Sequence, residues 1–231
     1  MTSHFMDTYN QDLYEFLKQF ISEERLAKIE AITAERTRYI TVAVEDIYQP
    51  HNASAVMRSA ECFGVQDLHV IENKNKYTPS KEITKGASNW LTLHHYNGEG
   101  NNTLACIREL KKQGYRIIAT TPHERSNMLH DIDVTKGKMA LFFGTELDGI
   151  SEEVKAEADE FVRIPMYGFT ESFNISVSAA ICLYELRSKL QDHGVKWQLS
   201  EEEIVQLKLD WVRKTIHKVE LIEEEFKKRR G

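Results

Sequence analysis

Between residues 39 and 194, short apolar runs alternate with helical stretches, and this pattern limits the possible fold more than any other feature of the chain. The apolar runs are ITVAVEDI, DLHVIE, YRIIATT, KMALFFG and EFVRIPM. Helical patterns lie between most of them or follow the last, at Ala53–Phe63, Leu104–Gln113, Glu152–Ala158 and Ile175–Asp192. Strands that alternate with helices are typical of a parallel sheet with helices packed on both faces. We therefore predict an α/β domain at residues 39–194.

The segments on either side of this domain have helical periodicity. Residues 10–38 carry apolar stripes such as Leu13 and Leu17, which recur at helical spacing. Near the other end, Ser200 and Glu203 fit a capping box that opens a further helical pattern. We predict helical extensions at residues 1–38 and 195–231.

Composition excludes several classes of protein. No run of 18 apolar residues exists, and the N-terminus lacks a basic segment followed by an apolar one, so we expect a cytoplasmic protein with no membrane span. The three cysteines are far apart and form no CxxC pair, which favours buried reduced thiols over a disulfide or a metal site. The net charge of −6 means that any basic surface for nucleic acid must be local.

The first candidate motif is HNASAVMRSA, which follows the run ITVAVEDI. Asn52 lies where the N-cap of a helix is expected, and Arg58 lies on the same helical face as Ser54 and Cys62. A single arginine on a helix is more often a solvated surface charge than a catalytic group, so this segment alone leaves both interpretations open.

The second motif is FFGTELDGIS, in which an apolar strand runs into two glycines and then into a helix capped by Ser151. Glycines at the carboxyl end of a strand let the backbone approach a ligand closely, although an ordinary strand-to-helix turn has the same composition. The spacing does not match a GxGxxG dinucleotide loop.

The third motif is IPMYGFTESFNISVSAA, a strand end that passes through a polar loop into a helix rich in small residues. Small side chains permit close packing against another backbone, but they also occur on many buried helices. Each of the three motifs is weak evidence when it is taken alone.

Together, in this order and spacing, the three motifs resemble the TrmH/SpoU branch of the SPOUT superfamily of RNA ribose methyltransferases. The resemblance extends through Lys85-Gly86-Ala87-Ser88, which is similar to the family's loop before a tryptophan-containing strand, here Trp90. It implies a Rossmann-like parallel α/β sheet with a deep trefoil knot toward its C-terminal part. It also implies S-adenosyl-L-methionine (SAM) as cofactor, bound in the knot, and a homodimer whose interface lies near the cofactor sites.

The resemblance assigns roles to particular residues. Mainly backbone groups of the second and third motifs would hold SAM, which points to Gly144, Ile164, Met166, Ser172 and Phe173, together with Thr121 at the end of the preceding strand. The catalytic residue of the family is the arginine of the first motif, and the expected catalytic set is Arg58 with Asn52, Glu146, Ser172 and Asn174.

The chemical role of Arg58 stays open at the level of the sequence. The family proposal makes this arginine the base that activates the ribose hydroxyl, but arginine keeps its proton in proteins. Its fork geometry also suits clamping a phosphate or stabilising a developing alkoxide. Glu146 is a competing base, or a group that orients Arg58 or Asn52.

The implied reaction is 2'-O-methylation of an RNA ribose, and we expect the substrate to be a D-loop guanosine of tRNA. The alternatives are an rRNA 2'-O-methyltransferase and a non-catalytic RNA-binding protein of the same fold. The basic residues that we expect to contact RNA lie in the terminal helical segments, where the alternative is a solvated helix face. They are Arg25, Lys28, Arg36, Arg38, Lys227, Lys228, Arg229 and Arg230.

Overall fold

The computed structural model describes residues 2–78, 80, 84, 86–122, 126–145 and 148–230, with side chains from Thr8 onward. The chain forms two compact units. The core unit is Thr37–Trp197, and the terminal unit combines Met1–Arg36 with Gln198–Gly231. The predicted domain bounds at residues 38 and 194 stay a prediction.

The core unit is built on a parallel sheet. Its strands in the described part of the chain are β1 (Ile40–Glu45), β2 (Asp67–Ile71), β3 (Thr92–Tyr96), β4 (Arg116–Thr120), β5 (Asn127–Met128), β6 (Met139–Phe143) and β7 (Glu160–Arg163). They lie in the order β3-β2-β1-β6-β4-β7-β5, and the paired neighbours run parallel. The predicted α/β class with a parallel sheet is confirmed.

Four described helices belong to the core unit: α3 (Pro50–Cys62), α4 (Asn102–Lys112), α5 (Glu152–Glu157) and α6 (Ile175–Asp192). On one face of the sheet, Val42 and Val44 of β1 pack in a cluster with residues of α3 and α6. On the other face, Ala43 and Phe142 pack in a second cluster with residues of α4 and α5. Strands β1 and β6 are buried along their whole length, because helices cover both faces at the centre of the sheet.

Three details differ from the sequence expectations. Strands β3 and β5 were not predicted from apolar runs, because β3 is a half-exposed edge strand with two histidines and β5 has two residues. Trp90 precedes β3 rather than lying in a strand. Cys62 is exposed, whereas Cys106 and Cys182 are buried, and all three thiols are free.

Lys85 lies outside the described residues.

The terminal unit contains helices α1 (Thr2–Leu17), α2 (Glu23–Ala34), α7 (Glu201–Thr215) and α8 (Val219–Arg230). Both hydrogen bonds of the predicted capping box at Ser200 and Glu203 are present. The ring of Phe226 lies 5.3 Å from that of Phe16 and 5.7 Å from that of Tyr9, centroid to centroid. Aromatic packing therefore joins the two ends of the chain within this unit. No helix in the described ranges combines the length and apolar character that a membrane span requires.

Candidate functional site

Three adjacent strands of the sheet, β6, β4 and β7, end at one cavity of about 690 Å³. Ligands of open parallel sheets bind outside the carboxyl ends of the strands, so the cavity lies where this fold places a binding site. The segments that line it follow these strands or begin the helices α3 and α6.

The segment after β6 is a tight turn at the wall of the cavity. The backbone of Thr145 exchanges two hydrogen bonds with Gly149, at 2.9 and 3.1 Å. A Cβ atom placed on Gly144 would lie 1.9 Å from the carbonyl oxygen of Gly149 and 2.4 Å from the nitrogen of Ile150. Only glycine fits at position 144, because any side chain would overlap the returning backbone. Ser151 then caps α5 by accepting a hydrogen bond from the backbone of Val154.

A buried carboxylate anchors the far end of this turn. Glu45, at the end of β1, accepts a hydrogen bond from the backbone N–H of Ser151 at 3.2 Å and a second from the hydroxyl of Thr103. The central strand thereby fixes the point at which the turn passes into α5. Glu45 lies outside the three motifs, and only its place at the end of an apolar strand marks it in the sequence.

The segment between β7 and α6 ends at Asn174, which caps α6. Its side-chain oxygen accepts hydrogen bonds from the backbone N–H and the hydroxyl of Ser176, at 2.9 and 2.6 Å. Its side-chain amide donates to the side-chain oxygen of Asn52 at 3.0 Å. One residue therefore fixes the start of α6 and joins it to α3.

The predicted N-cap role of Asn52 is wrong. Helix α3 begins at Pro50 with Gln49 in the cap position, so Asn52 lies within the first turn. Proline fits the first helical position because its missing N–H has no partner there, and this moves the start of the helix upstream. Asn52 is buried and uses its side-chain oxygen to accept from Asn174.

Arg58 lies apart from this cavity. It is exposed on α3, it is not among the residues that line the cavity, and it makes no hydrogen bond or ion pair with any described residue. Six positions along a helix correspond to about 9 Å of rise and about 120° of rotation, so Arg58 and Asn52 lie on different sides of α3. Glu146, the competing base, lies outside the described residues.

The structure brings most of the remaining predicted site residues together. Those that line the cavity are Asn52, Thr121, Gly144, Ile164, Met166, Ser172, Phe173 and Asn174. The lining also includes polar residues that the sequence did not single out, namely Gln49, Thr120, Asp148, Lys155, Arg163 and Glu171. Asp148 and Glu171 lie inside the second and third motifs, so their motif positions were the signal that could have found them. Gln49 and Lys155 lie outside the motifs, so no sequence signal marked them.

Cys182 lies at the buried side of the cavity, one of three cysteines in the chain. Burial raises the pKa of its thiol to about 12. The thiol is therefore neutral at physiological pH and adds no charge to this wall. In the described part of the chain, no group of three or more His, Cys, Asp or Glu side chains is placed to bind a metal ion.

The predicted RNA-contact residues of the first segment have different environments. Arg25 and Lys28 are exposed on α2. Arg36 is fully buried in the terminal unit, with its guanidinium 5.1 Å from the ring of Trp211. A side chain closed off from solvent does not reach a phosphate, so the predicted RNA contact of Arg36 is not compatible with this structure. In the core unit, Arg38 donates from Nε to Asp67 at 2.8 Å.

The four basic residues at the end of α8 divide into two pairs. Arg230 forms an ion pair with Asp12 at 2.9 Å and lies 5.3 Å from the ring of Tyr9. Arg229 pairs with Glu225 and lies 5.2 Å from the ring of Phe16. Lys227 and Lys228 are exposed and have no partner among the described residues.

Comparison with known proteins places the chain in a family. Residues 39–184 match the model of the SpoU rRNA Methylase family. A tRNA (guanosine(18)-2'-O)-methyltransferase of Borreliella burgdorferi is 43% identical over 207 residues, which are 90% of this chain and 93% of that protein. A protein of the same name from Thermus thermophilus is 31% identical over 195 residues, 84% of this chain and 98% of that protein.

A solved structure agrees with these matches. The crystal structure of the TrmH/SpoU tRNA modifying enzyme of A. aeolicus superposes with a TM-score of 0.74 at 29% identity. The similarity covers 85% of this chain and 98% of that chain. The family match spans β1 to the first half of α6 and so includes the segments around the cavity. This chain is therefore a member of the SpoU rRNA methylase family.

Proposed function

We propose that the protein is a SAM-dependent RNA methyltransferase that transfers a methyl group to the 2'-oxygen of a ribose, and that its acceptor is a D-loop guanosine of tRNA. The observation that carries the proposal is one cavity, at the ends of β4, β6 and β7, lined by residues of all three motifs. The choice of tRNA guanosine follows the names of the relatives from Borreliella burgdorferi and Thermus thermophilus.

The cavity fits SAM in size and in chemistry. Its volume of about 690 Å³ falls in the range of small-molecule sites, which is about 300–1,000 Å³. Phe143, Ile150 and Ile164 offer apolar surface for an adenine, and Glu171 and Asp148 offer negative charge for a cationic ligand. The proposed cofactor-binding set is Thr121, Gly144, Ile164, Met166, Ser172 and Phe173. When it is bound, SAM supplies an electrophilic methyl group.

The residues of this chain would position and activate the acceptor. A ribose hydroxyl is a poor nucleophile until its proton is removed. Because arginine keeps its proton, we assign Arg58 to holding the RNA phosphate and stabilising negative charge on the 2'-oxygen. Asn52, Ser172 and Asn174 would position the reactants. Glu146 would act as the base or would orient Arg58 or Asn52.

The position of Arg58 supports a homodimer in which this residue serves the partner's cavity. Arg58 does not line the cavity of its own chain. Two apolar side chains of α6, Val177 and Tyr184, are exposed, and the ring of Tyr184 lies 6.3 Å from that of Phe63, the residue after α3. This exposed apolar surface lies beside the end of α3, the helix that carries Arg58, and is consistent with a symmetric contact between two copies of this face. Sedimentation equilibrium that finds only monomer at micromolar concentration would contradict the homodimer.

We also propose the trefoil knot of the family, formed by the segments on either side of β7. The chain enters β6 between β1 and β4 and then places β7 beyond β4, so both following segments border the same cavity. This arrangement supports a knot.

The helical extensions at residues 1–38 and 195–231 would grip the RNA through its phosphates. Within the terminal unit, Arg25, Lys28, Lys227 and Lys228 are exposed and fit this role. Arg38, Arg229 and Arg230 have carboxylate partners that RNA would have to displace. Since tRNA is the proposed substrate, we place the protein in the cytoplasm.

The experiment is methyl transfer from labelled SAM to separate pools of tRNA and rRNA, followed by mapping of the modified nucleotide. We expect label in tRNA at the ribose of a D-loop guanosine. Label in rRNA alone would overturn the choice of substrate, and RNA binding without transfer would favour a non-catalytic role.

A further inference from the structure

Two aromatic side chains that are exposed to solvent lie in a segment that lines the cavity. Tyr167 is 96% exposed and Phe169 is fully exposed, and both lie in the segment between β7 and α6. We call Tyr167 and Phe169 the rim pair. Residues on both sides of the pair, Met166 and Glu171, line the cavity, whereas the pair itself does not.

The rim pair makes no contribution to the described core. Neither ring belongs to the two hydrophobic clusters of the core unit. A Cβ atom placed on Gly168, between the two rings, would meet nothing within 4 Å. An exposed aromatic ring lacks the stabilisation that burial provides. Two such rings in one short segment therefore indicate a binding surface that a ligand covers.

Two further exposed aromatic residues lie next to, or within, the cavity lining in the sequence. Tyr48, 74% exposed, precedes Gln49 of the cavity lining, and Phe173, 41% exposed, belongs to the lining. The hydrogen bond between Asn52 and Asn174 ties the segment of Tyr48 to the end of the segment that carries the rim pair. Two connected segments that contribute to the cavity lining therefore carry exposed aromatic residues.

From this arrangement we infer that the rim pair is a stacking platform for an unpaired nucleobase of the RNA loop that presents the acceptor ribose. The inference rests on the proposed function. The acceptor ribose has to reach the opening of the cavity, which brings the bases of its loop to the rim. RNA loops are recognised through unstacked bases that lie against aromatic side chains, and such stacking tolerates differences in sequence.

The test compares variants that keep or remove the rings. In the double variant Tyr167→Ala/Phe169→Ala, we expect the KM for tRNA to rise at least 10-fold, which corresponds to about 1.4 kcal/mol. We expect the dissociation constant of SAM and the sedimentation behaviour to stay as in the wild type. The single variant Phe169→Tyr should keep a KM for tRNA close to that of the wild type, because it keeps an aromatic ring. Phe169→Leu should raise the KM, because leucine is apolar but has no ring face. Asn97→Ala, at an exposed residue outside the cavity lining and outside the helical extensions, is the control and should leave the KM unchanged.

A second variant measures stacking without catalysis. Phe169→Trp should give a tryptophan fluorescence signal, relative to the wild type, that tRNA quenches. An unchanged KM in the double alanine variant would overturn the platform. A weakened affinity for SAM would place the rings over the cofactor. A change in oligomeric state would place them in a protein interface. Either result would also overturn the platform. If the wild type methylates no RNA while RNA quenches the fluorescence of Phe169→Trp, the proposed function fails, and with it the acceptor loop, whereas base stacking on the rim pair stands.

Discussion

The side-chain amide of Asn174 donates a hydrogen bond of 3.0 Å to the side-chain oxygen of Asn52, although the two residues are 122 positions apart in the sequence. Through this bond the start of α6 is joined to the first turn of α3. Both residues also line the cavity. The first and third motifs are therefore parts of one site, connected by a pair of side chains.

The two functions of Asn174 can be separated by substitution. Asn174→Ser keeps a good N-cap residue but is too short to reach Asn52, whereas Asn174→Ala removes both interactions. We expect Asn174→Ser to keep the stability of the wild type within a few tenths of a kcal/mol and to lower turnover about 10-fold or more. Asn174→Ala should lose about 1 kcal/mol of stability in addition. Thermal unfolding and methyl-transfer kinetics are the measurements, and normal turnover in Asn174→Ser would show that the bond to Asn52 has no part in activity.

Gly144 tests the turn that forms the wall of the cavity. A Cβ atom on this residue would lie 1.9 Å from the carbonyl oxygen of Gly149, so Gly144→Ala has to displace the backbone of the turn. We expect the dissociation constant of SAM to rise by about 10-fold or more, or about 1.4 kcal/mol. Gly98→Ala is the matched control, because its added Cβ would meet its nearest neighbour at 4.0 Å. Equilibrium dialysis checks both variants, with circular dichroism to monitor folding, and wild-type affinity in Gly144→Ala would contradict the assigned cofactor site.

The proposed action of Arg58 on the partner's cavity predicts complementation between subunits. Arg58→Ala alone should lower turnover by about 10³-fold or more, roughly 4 kcal/mol, and leave SAM binding unchanged. Arg58→Lys should be nearly as inactive, because an ammonium group does not reproduce the guanidinium fork. In a heterodimer of one Arg58→Ala chain and one Gly144→Ala chain, one of the two sites would carry both defects and the other neither. At a SAM concentration well below the dissociation constant of Gly144→Ala, we expect such heterodimers, purified with two affinity tags, to recover about half of the wild-type activity. An inactive heterodimer would show that Arg58 acts on the cavity of its own chain.

The two pairs of basic residues at the end of α8 should behave differently. Lys227→Ala/Lys228→Ala should weaken tRNA binding. The magnitude of the slope of log affinity against log salt should fall by up to about 2, because each phosphate contact that is lost no longer releases a counterion on binding. Arg229→Ala/Arg230→Ala should instead lower the stability of the terminal unit by about 1 kcal/mol, because both arginines pack on aromatic rings. Filter binding over a salt series and thermal unfolding distinguish the two outcomes. Equal salt slopes for the wild type and the lysine variant would remove this pair from the RNA surface.

Local signals in the sequence predicted much of the fold. The strands β1, β2, β4, β6 and β7 and the helices of the core unit follow from apolar runs and capping residues, which act over a few neighbours. Residues of the second and third motifs were expected at the cavity because the family resemblance assigned them to cofactor binding. Edge strand β3 was not predicted, because an edge strand lacks a continuous apolar pattern.

Relationships over long distances in the chain were beyond such reasoning. The bond between Asn52 and Asn174 depends on how α3 and α6 meet, and the burial of Arg36 depends on Trp211 of a distant helix. A basic residue in a helical segment is usually solvated, so its sequence environment gave no sign of burial. The same limit applies to Arg58. This residue does not line the cavity of its own chain, because the helical rotation between Asn52 and Arg58 places the two side chains on different sides of α3.

The central claim, that this chain methylates a guanosine ribose in tRNA, is tested most directly in cells. Ribose methylation would be mapped across total RNA from a strain that lacks the protein and from the same strain carrying the wild type or Arg58→Ala. We expect the 2'-O-methyl group of a D-loop guanosine in tRNA to be missing, to return with the wild type and to stay missing with Arg58→Ala. An unchanged set of methylated tRNA riboses, or a loss confined to rRNA, would contradict the claim.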